Sequence, residues 1–247
     1  SLNAEKLKFS LAESSSLLSQ FVNEDQLKLL YQQTEGWPVA LQLLRLWYLQ
    51  NPNTDPTSIL TNNIDTLTSY MKEQVFEKFS QATQSFLLKT SFLDRFDIEL
   101  ANYVCDINNG ADIISGINEH QSLIISLDKD NNSFRYHHLF SDFLQQTCVM
   151  KVGEEQCNNI RSKAALWFAD KNHLSEAVSQ CVRSKNIGLA TQLIAKAGGW
   201  EMIMNKGIGY VESLLSHFSK KHITQSPTLS LLQCYFYLKL GQVVLAE

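Results

Sequence analysis

Proline and glycine are scarce in this chain, four and ten among 247 residues, and long stretches pass without either. Proline removes a backbone donor and glycine carries a large backbone entropy, so both interrupt helices; their scarcity points to a mainly α protein. No apolar run approaches the roughly 20 residues that a bilayer span needs. The first 30 residues hold no basic, apolar and small-residue series of the signal-peptide kind. The five cysteines, Cys105, Cys148, Cys157, Cys181 and Cys234, show no Cys-x-x-Cys spacing. Scattered single thiols suit buried packing roles in a reducing, cytoplasmic setting better than a metal site.

Several chemistries are missing as well. No G-x-x-x-x-G-K-[ST] occurs, so the chain has no phosphate-cradling P-loop of its own. "AGGWEMIMNKGIG" (197–209) has glycines and a lysine at the wrong spacing and reads as helix-end punctuation. G-x-S-x-G and H-E-x-x-H are absent too, and no nucleophile–base set replaces them; the chain reads as non-catalytic. "DKDNNSFRYHHL", from Asp128, starts like a calcium loop but carries Ser133 where the sharp turn needs Gly and Leu139 where a bidentate Glu belongs. A solvated hairpin turn explains the same residues. The adjacent His137 and His138, in or at the end of a strand, would point to opposite faces, one packed and one exposed, which suits no shared metal site.

What is present is helical periodicity. Residues 10–50 read as three helices. Ser10 with Glu13 matches a capping box, and Asn23 or Glu24 opens the second helix. Gly36-Trp37-Pro38 leads into "VALQLLRLWYL", where Pro38 suits the first helical position and the apolar surface marks the helix as central. Trp37 and Trp47 read on their own as core anchors. A polar linker, "QNPNTDPTS" (50–58), follows. Ile64, Leu67, Met71, Val75 and Phe79 then form one amphipathic stripe, Ser80 can cap the next helix, and shorter helices fit 97–104 and 111–119.

"LIISLDKDNNSFRYHH" (123–138) reads as strand, polar turn, strand, and a helix with Leu139, Phe140, Phe143 and Leu144 comes next. Helices, one hairpin and another helix make a winged-helix-like arrangement. Such a fold suggests DNA, but residues 63–150 hold six Lys/Arg against twelve Asp/Glu, a net charge of −6. DNA binding needs a basic face to neutralise phosphates, so this winged helix reads as a protein-contact or switch domain. From about 155 onward the chain is again helical, with "ALWFADKNHLSEAV" and "SPTLSLLQCYFYLKLGQVVLAE" resembling helix–turn–helix repeats of roughly 35 residues.

In order and spacing, "TEGWPVALQLL", "FLLKTSFLDRF", "FRYHHLFSDFLQQ" and "ALWFADKNHLSEAV" resemble one family over about residues 9–247. It is that of the large ATP-dependent, MalT-like transcriptional activators of the LuxR class, which are signal-transduction ATPases with numerous domains. The resemblance implies a helical domain at 1–55 after an ATPase core, a winged-helix domain at 60–150, and a helical arm with the first TPR-like repeats of a sensor region at 151–247. The missing initiator Met and the open-ended "GQVVLAE" (241–247) fit a piece of a longer parent. No cofactor is expected in the fragment, and ATP/ADP in the parent. The implied partners are the ATPase domain of the same chain, further copies in an active oligomer, a small-molecule or protein inducer, and DNA only through a separate C-terminal domain; no membrane is implied. Gly36, Trp37 and Pro38 match the Gly-x-Pro element that such ATPases set against the adenine, and His137 is similar to the winged-helix histidine that reads the β-phosphate of ADP. His138 departs from the acid that many relatives of the wider class carry there. In the fragment the Trp37-Pro38 corner is then expected to face a domain that is absent. A helical-repeat scaffold without nucleotide switching is the alternative.

Overall fold

Side-chain caps set the starts of the first helices. Ser10 and Glu13 complete a reciprocal capping box at the head of α1 (Leu11–Leu18), and Asn23 with Gln26 does the same for α2 (Glu24–Thr34). The third helix, α3 (Pro38–Gln50), has no side-chain cap, and proline at its first position leaves one fewer orphan donor to satisfy. These elements come from a computed structural model that describes residues 8–52, 64–120, 123–128 and 133–246. The chain divides into two units, Ser1–Lys151 and Val152–Glu247. Most of the 50–58 linker and the centre of the hairpin turn lie outside the described residues.

In the first unit α3 is buried on most of its surface, through Ala40, Leu41, Leu43, Leu44, Trp47 and Tyr48. The turn into it rests on Gly36, whose φ of +71° is open only to glycine without strain. Its carbonyl accepts from the Phe9 N–H at 2.9 Å, so the chain before α1 lies directly against the turn. A Cβ on Gly36 would collide with the Phe9 carbonyl oxygen.

The winged-helix portion follows as α4 (Ile64–Gln74), α5 (Gln81–Thr90), α6 (Ile98–Cys105) and α7 (Gly110–His120). The antiparallel pair β1 (Ile124–Ser126) and β2 (Phe134–Tyr136) comes next, then α8 (His138–Val152). Ser80 and Asp97 cap α5 and α6. The five-residue stripe does not lie on one helix. The α-helix stops at Gln74, Val75 leaves helical geometry at φ −123° and ψ −65°, and Phe76–Lys78 forms a 3-10 turn. The break lets Phe76, absent from the stripe, become fully buried with its edge on Phe143 at 5.8 Å, while Phe79 is left half-buried. Phe96 and Phe134 exchange two backbone hydrogen bonds of 2.9 and 2.8 Å, which adds a one-residue bridge to the wing. The Tyr136 and Thr90 hydroxyls, 2.6 Å apart and buried, tie β2 to α5.

The second unit holds α9 (Glu154–Asp170), α10 (Leu174–Arg183), α11 (Ile187–Lys196), α12 (Met202–Lys206), α13 (Ile208–Leu215), α14 (Lys220–Thr224), α15 (Pro227–Lys239) and α16 (Val243–Ala246). Its core joins Ala165, Val178, Cys181, Ile194, Val211, Leu229 and Leu232. α10 packs on both α9 and α11, and α15 packs on α11 and α13. Gly207, at φ +87°, separates α12 from α13, so the glycine-rich run is indeed helix-end punctuation. Among the described residues no helix is long and apolar enough to cross a membrane.

Gly36→Ala meets both an unfavourable φ and a backbone collision, so it should destabilise the first unit by about 2 kcal/mol or more. Urea denaturation followed by circular dichroism checks this, and an unchanged midpoint would mean that the turn relaxes freely.

Candidate functional site

Two consecutive left-handed residues, Glu35 (φ +50°) and Gly36 (φ +71°), end α2 and reverse the chain. The reversal presents Trp37, the extended N-cap of α3, to the winged-helix portion. On the other side β2 alternates, with Phe134 and Tyr136 buried and Arg135 between them half-buried. Continued alternation would turn His137 outward. Instead the strand ends at Tyr136 and α8 begins at His138, with the His137 carbonyl accepting its first helical bond from Ser141 N–H at 2.9 Å. This change of backbone geometry folds His137 inward, to 1% exposure.

There it meets Trp37. The two rings lie flat on one another, centroids 4.5 Å apart and 13° from parallel. Phe140, one helical turn on, packs against Trp37 at 6.2 Å and continues the aromatic contacts to Tyr136 and Phe143, both at 5.9 Å. Trp37 is therefore not an idle corner: it is 3% exposed and packed within its own unit, while Pro38 beside it is half-buried. The core-anchor reading of Trp37 holds.

His138 does not point to the opposite face. Because the chain passes from strand to helix between the two histidines, their ring centroids stand only 4.4 Å apart. Glu35 completes the group: its Oε1 is 3.9 Å from His138 Nδ1, and Lys8 Nζ donates to its Oε2 at 3.2 Å. The Lys8 hydrogen bond holds the Glu35 carboxyl below its ordinary range against a smaller opposing effect of burial. Glu35, His137 and His138 each offer one ligand atom, all within 4.8 Å of one another.

His137 is under electrostatic tension. Both ring nitrogens are buried, and among the described residues neither has a hydrogen-bond partner. Leaving a buried donor or acceptor unpaired costs about 1–3 kcal/mol. An aromatic stack returns about 0.5–1.5 kcal/mol beyond its area, so the stack does not offset two unpaired nitrogens. Burial lowers the His137 pKa from 6.5 to about 4, with a further lowering by His138, Lys8 and Arg135 and an opposing effect of Glu35. The ring is thus neutral at physiological pH, one nitrogen a donor and the other an acceptor, both held in the interior without a partner among the described residues.

The structure brings together Gly36, Trp37 and His137, three of the residues singled out from the sequence. Lys8, Glu35 and His138 were not foreseen as members. The signal for Glu35 was its place immediately before Gly36-Trp37-Pro38; Lys8 carried none, since only the folded turn brings it near.

Comparison with known proteins places this geometry in context. The family model described as "MalT winged helix domain" matches residues 72–156. The chain is similar to a protein named "HTH-type transcriptional regulator MalT" from Vibrio campbellii, 28% identical over 94% of this chain and 26% of that protein. Proteins of the same name from Vibrio parahaemolyticus and Klebsiella pneumoniae strain 342 are 25% and 26% identical over 97% and 95% of this chain. The chain spans about a quarter of the length of these relatives, 28% and 26% for the last two.

Because the folded pKa of His137 lies below the unfolded one, the unfolded chain takes up the proton first as pH falls. Stability of the first unit should therefore hold above about pH 6.5 and fall by up to roughly 3 kcal/mol as pH drops toward 4. Urea midpoints of the chain and of His137→Gln across this range check it. The variant should lose most of the slope, and identical slopes would place the titrating group elsewhere.

Proposed function

We propose that this chain, MalT-like along nearly its whole length, is the central regulatory segment of an ATP-switched transcriptional activator. Residues 1–55 are the helical domain that follows an ATPase core, 60–150 the winged-helix domain, and 151–247 a helical arm with the first TPR-like repeats of a sensor region. The segment couples nucleotide state and inducer binding to oligomerisation in the cytoplasm. It is non-catalytic itself, with ATP or ADP held mainly by the ATPase core.

The observation that carries this reading is the face-to-face packing of Trp37 on a buried His137 whose two nitrogens have no partner among the described residues. On this reading the half-buried Pro38 meets a nucleotide's adenine, the buried Gly36 and Trp37 set the turn that holds it, and His137 gives an N–H to the β-phosphate of ADP. A donor contributed by one domain to a ligand held by another favours the closed arrangement in the ADP state. Exchange for ATP releases that arrangement only through its different contacts in the two states. The acidic balance of residues 63–150 supports an internal switch role for the winged helix over a DNA-reading one.

Three outcomes follow. Calorimetry of the isolated chain should show negligible ATP or ADP affinity, since no P-loop is present; micromolar binding would refute the division of labour. His137→Ala in the full-length protein should speed ADP release about tenfold, equivalent to losing one hydrogen bond of about 1.4 kcal/mol, and raise basal activity. An unchanged off-rate would remove the histidine from the switch. The isolated chain should also fail to retard duplex DNA at physiological salt, and salt-sensitive retardation would overturn the charge argument.

A further inference from the structure

We propose that Glu35, His137 and His138 bind a divalent first-row transition-metal ion, with Zn2+ as the representative, clasping the end of α2 to the start of α8. The site goes beyond the nucleotide reading and does not depend on it.

Three observations carry it. First, the ligand set is one carboxylate and two imidazoles, the donor types that suit Zn2+, Ni2+ and Co2+ and not Ca2+ or Mg2+. Second, the three ligand atoms already lie within 4.8 Å of one another. Ligands about 2.0–2.1 Å from one tetrahedral ion lie about 3.4 Å apart, so the widest pair must close by up to about 1.4 Å. The half-exposed side chains of Glu35 and His138, 47% and 43% accessible, can supply that movement while His137 stays stacked. Third, the buried His137 nitrogens have no hydrogen-bond partner among the described residues. Coordination through one of them satisfies a lone pair that the fold otherwise leaves bare.

Lys8 fits the same arrangement. It holds Oε2 of Glu35, which leaves Oε1, the oxygen beside His138, as the free ligand. Such an outer partner orients a metal-binding carboxylate. With three protein ligands the ion keeps an open position for water, so the site is exchangeable and not a closed structural one.

Zn2+ added to the purified chain should bind 1:1 in a chelator-competition titration and raise its thermal midpoint, and Mg2+ and Ca2+ should not. Co2+ should show the visible bands of a nitrogen–oxygen site without thiolate charge transfer, which separates this site from the half-buried Cys234. Glu35→Gln and His138→Ala change exposed side chains, preserve the fold, and should each weaken binding at least tenfold. Lys8→Ala should weaken it less, and His137→Ala should abolish it. No Zn2+-dependent shift, binding indifferent to Glu35→Gln and His138→Ala, or a thiolate spectrum with Co2+ would each overturn the proposal.

Discussion

The flat contact between Trp37 and His137 joins the two halves of the first unit. Trp37 belongs to the turn that starts α3, and His137 to the step from β2 into α8, so the stack ties the helical segment to the wing. Each partner is placed by a local backbone event: successive left-handed residues on one side, a strand-to-helix change on the other. Phe140 then links the stack to Tyr136 and Phe143. A shift of either backbone element therefore disturbs the others through packed rings that have few alternative arrangements.

The stack is not arranged for stability alone. A phenylalanine in place of His137 would keep an aromatic contact without burying unpaired nitrogens, and would cost less in isolation. A buried histidine whose nitrogens lack partners among the described residues leaves both open to a group that those residues do not supply. The proposed nucleotide phosphate and the proposed metal ion shared with Glu35 and His138 would each be such a group, by different chemistry. They make different demands on Glu35: the metal needs its carboxylate, and the phosphate does not.

Much of the fold was legible because its signals are local. The Ser10, Asn23 and Ser80 caps and Pro38 at the first turn of α3 rest on residues within one turn of each other, and the hairpin on two runs close in sequence. Two readings fell short where the backbone left its regular period. The stripe ending in Phe79 predicts one helix, but the α-helix stops at Gln74 and the break goes with burial of Phe76 against Phe143. Strand alternation predicts one packed and one exposed histidine on opposite faces; His137 is packed and His138 exposed, but alternation ceases at Tyr136 and the two rings lie together. The candidate site was legible as separate motifs, Gly36-Trp37-Pro38 and His137, and the resemblance brought them to one ligand. Their direct contact, and the roles of Lys8, Glu35 and His138, depend on a turn whose geometry no spacing encodes.

A double-mutant cycle on Trp37 and His137 tests the central contact most directly, with Trp37→Leu, His137→Leu and the pair compared by urea denaturation at pH 7.5. Residues in contact couple, and an aromatic pair of this kind should show an interaction energy of about 0.5–1.5 kcal/mol. Additive effects, within about 0.3 kcal/mol, would mean that the two residues do not hold the helical segment to the wing.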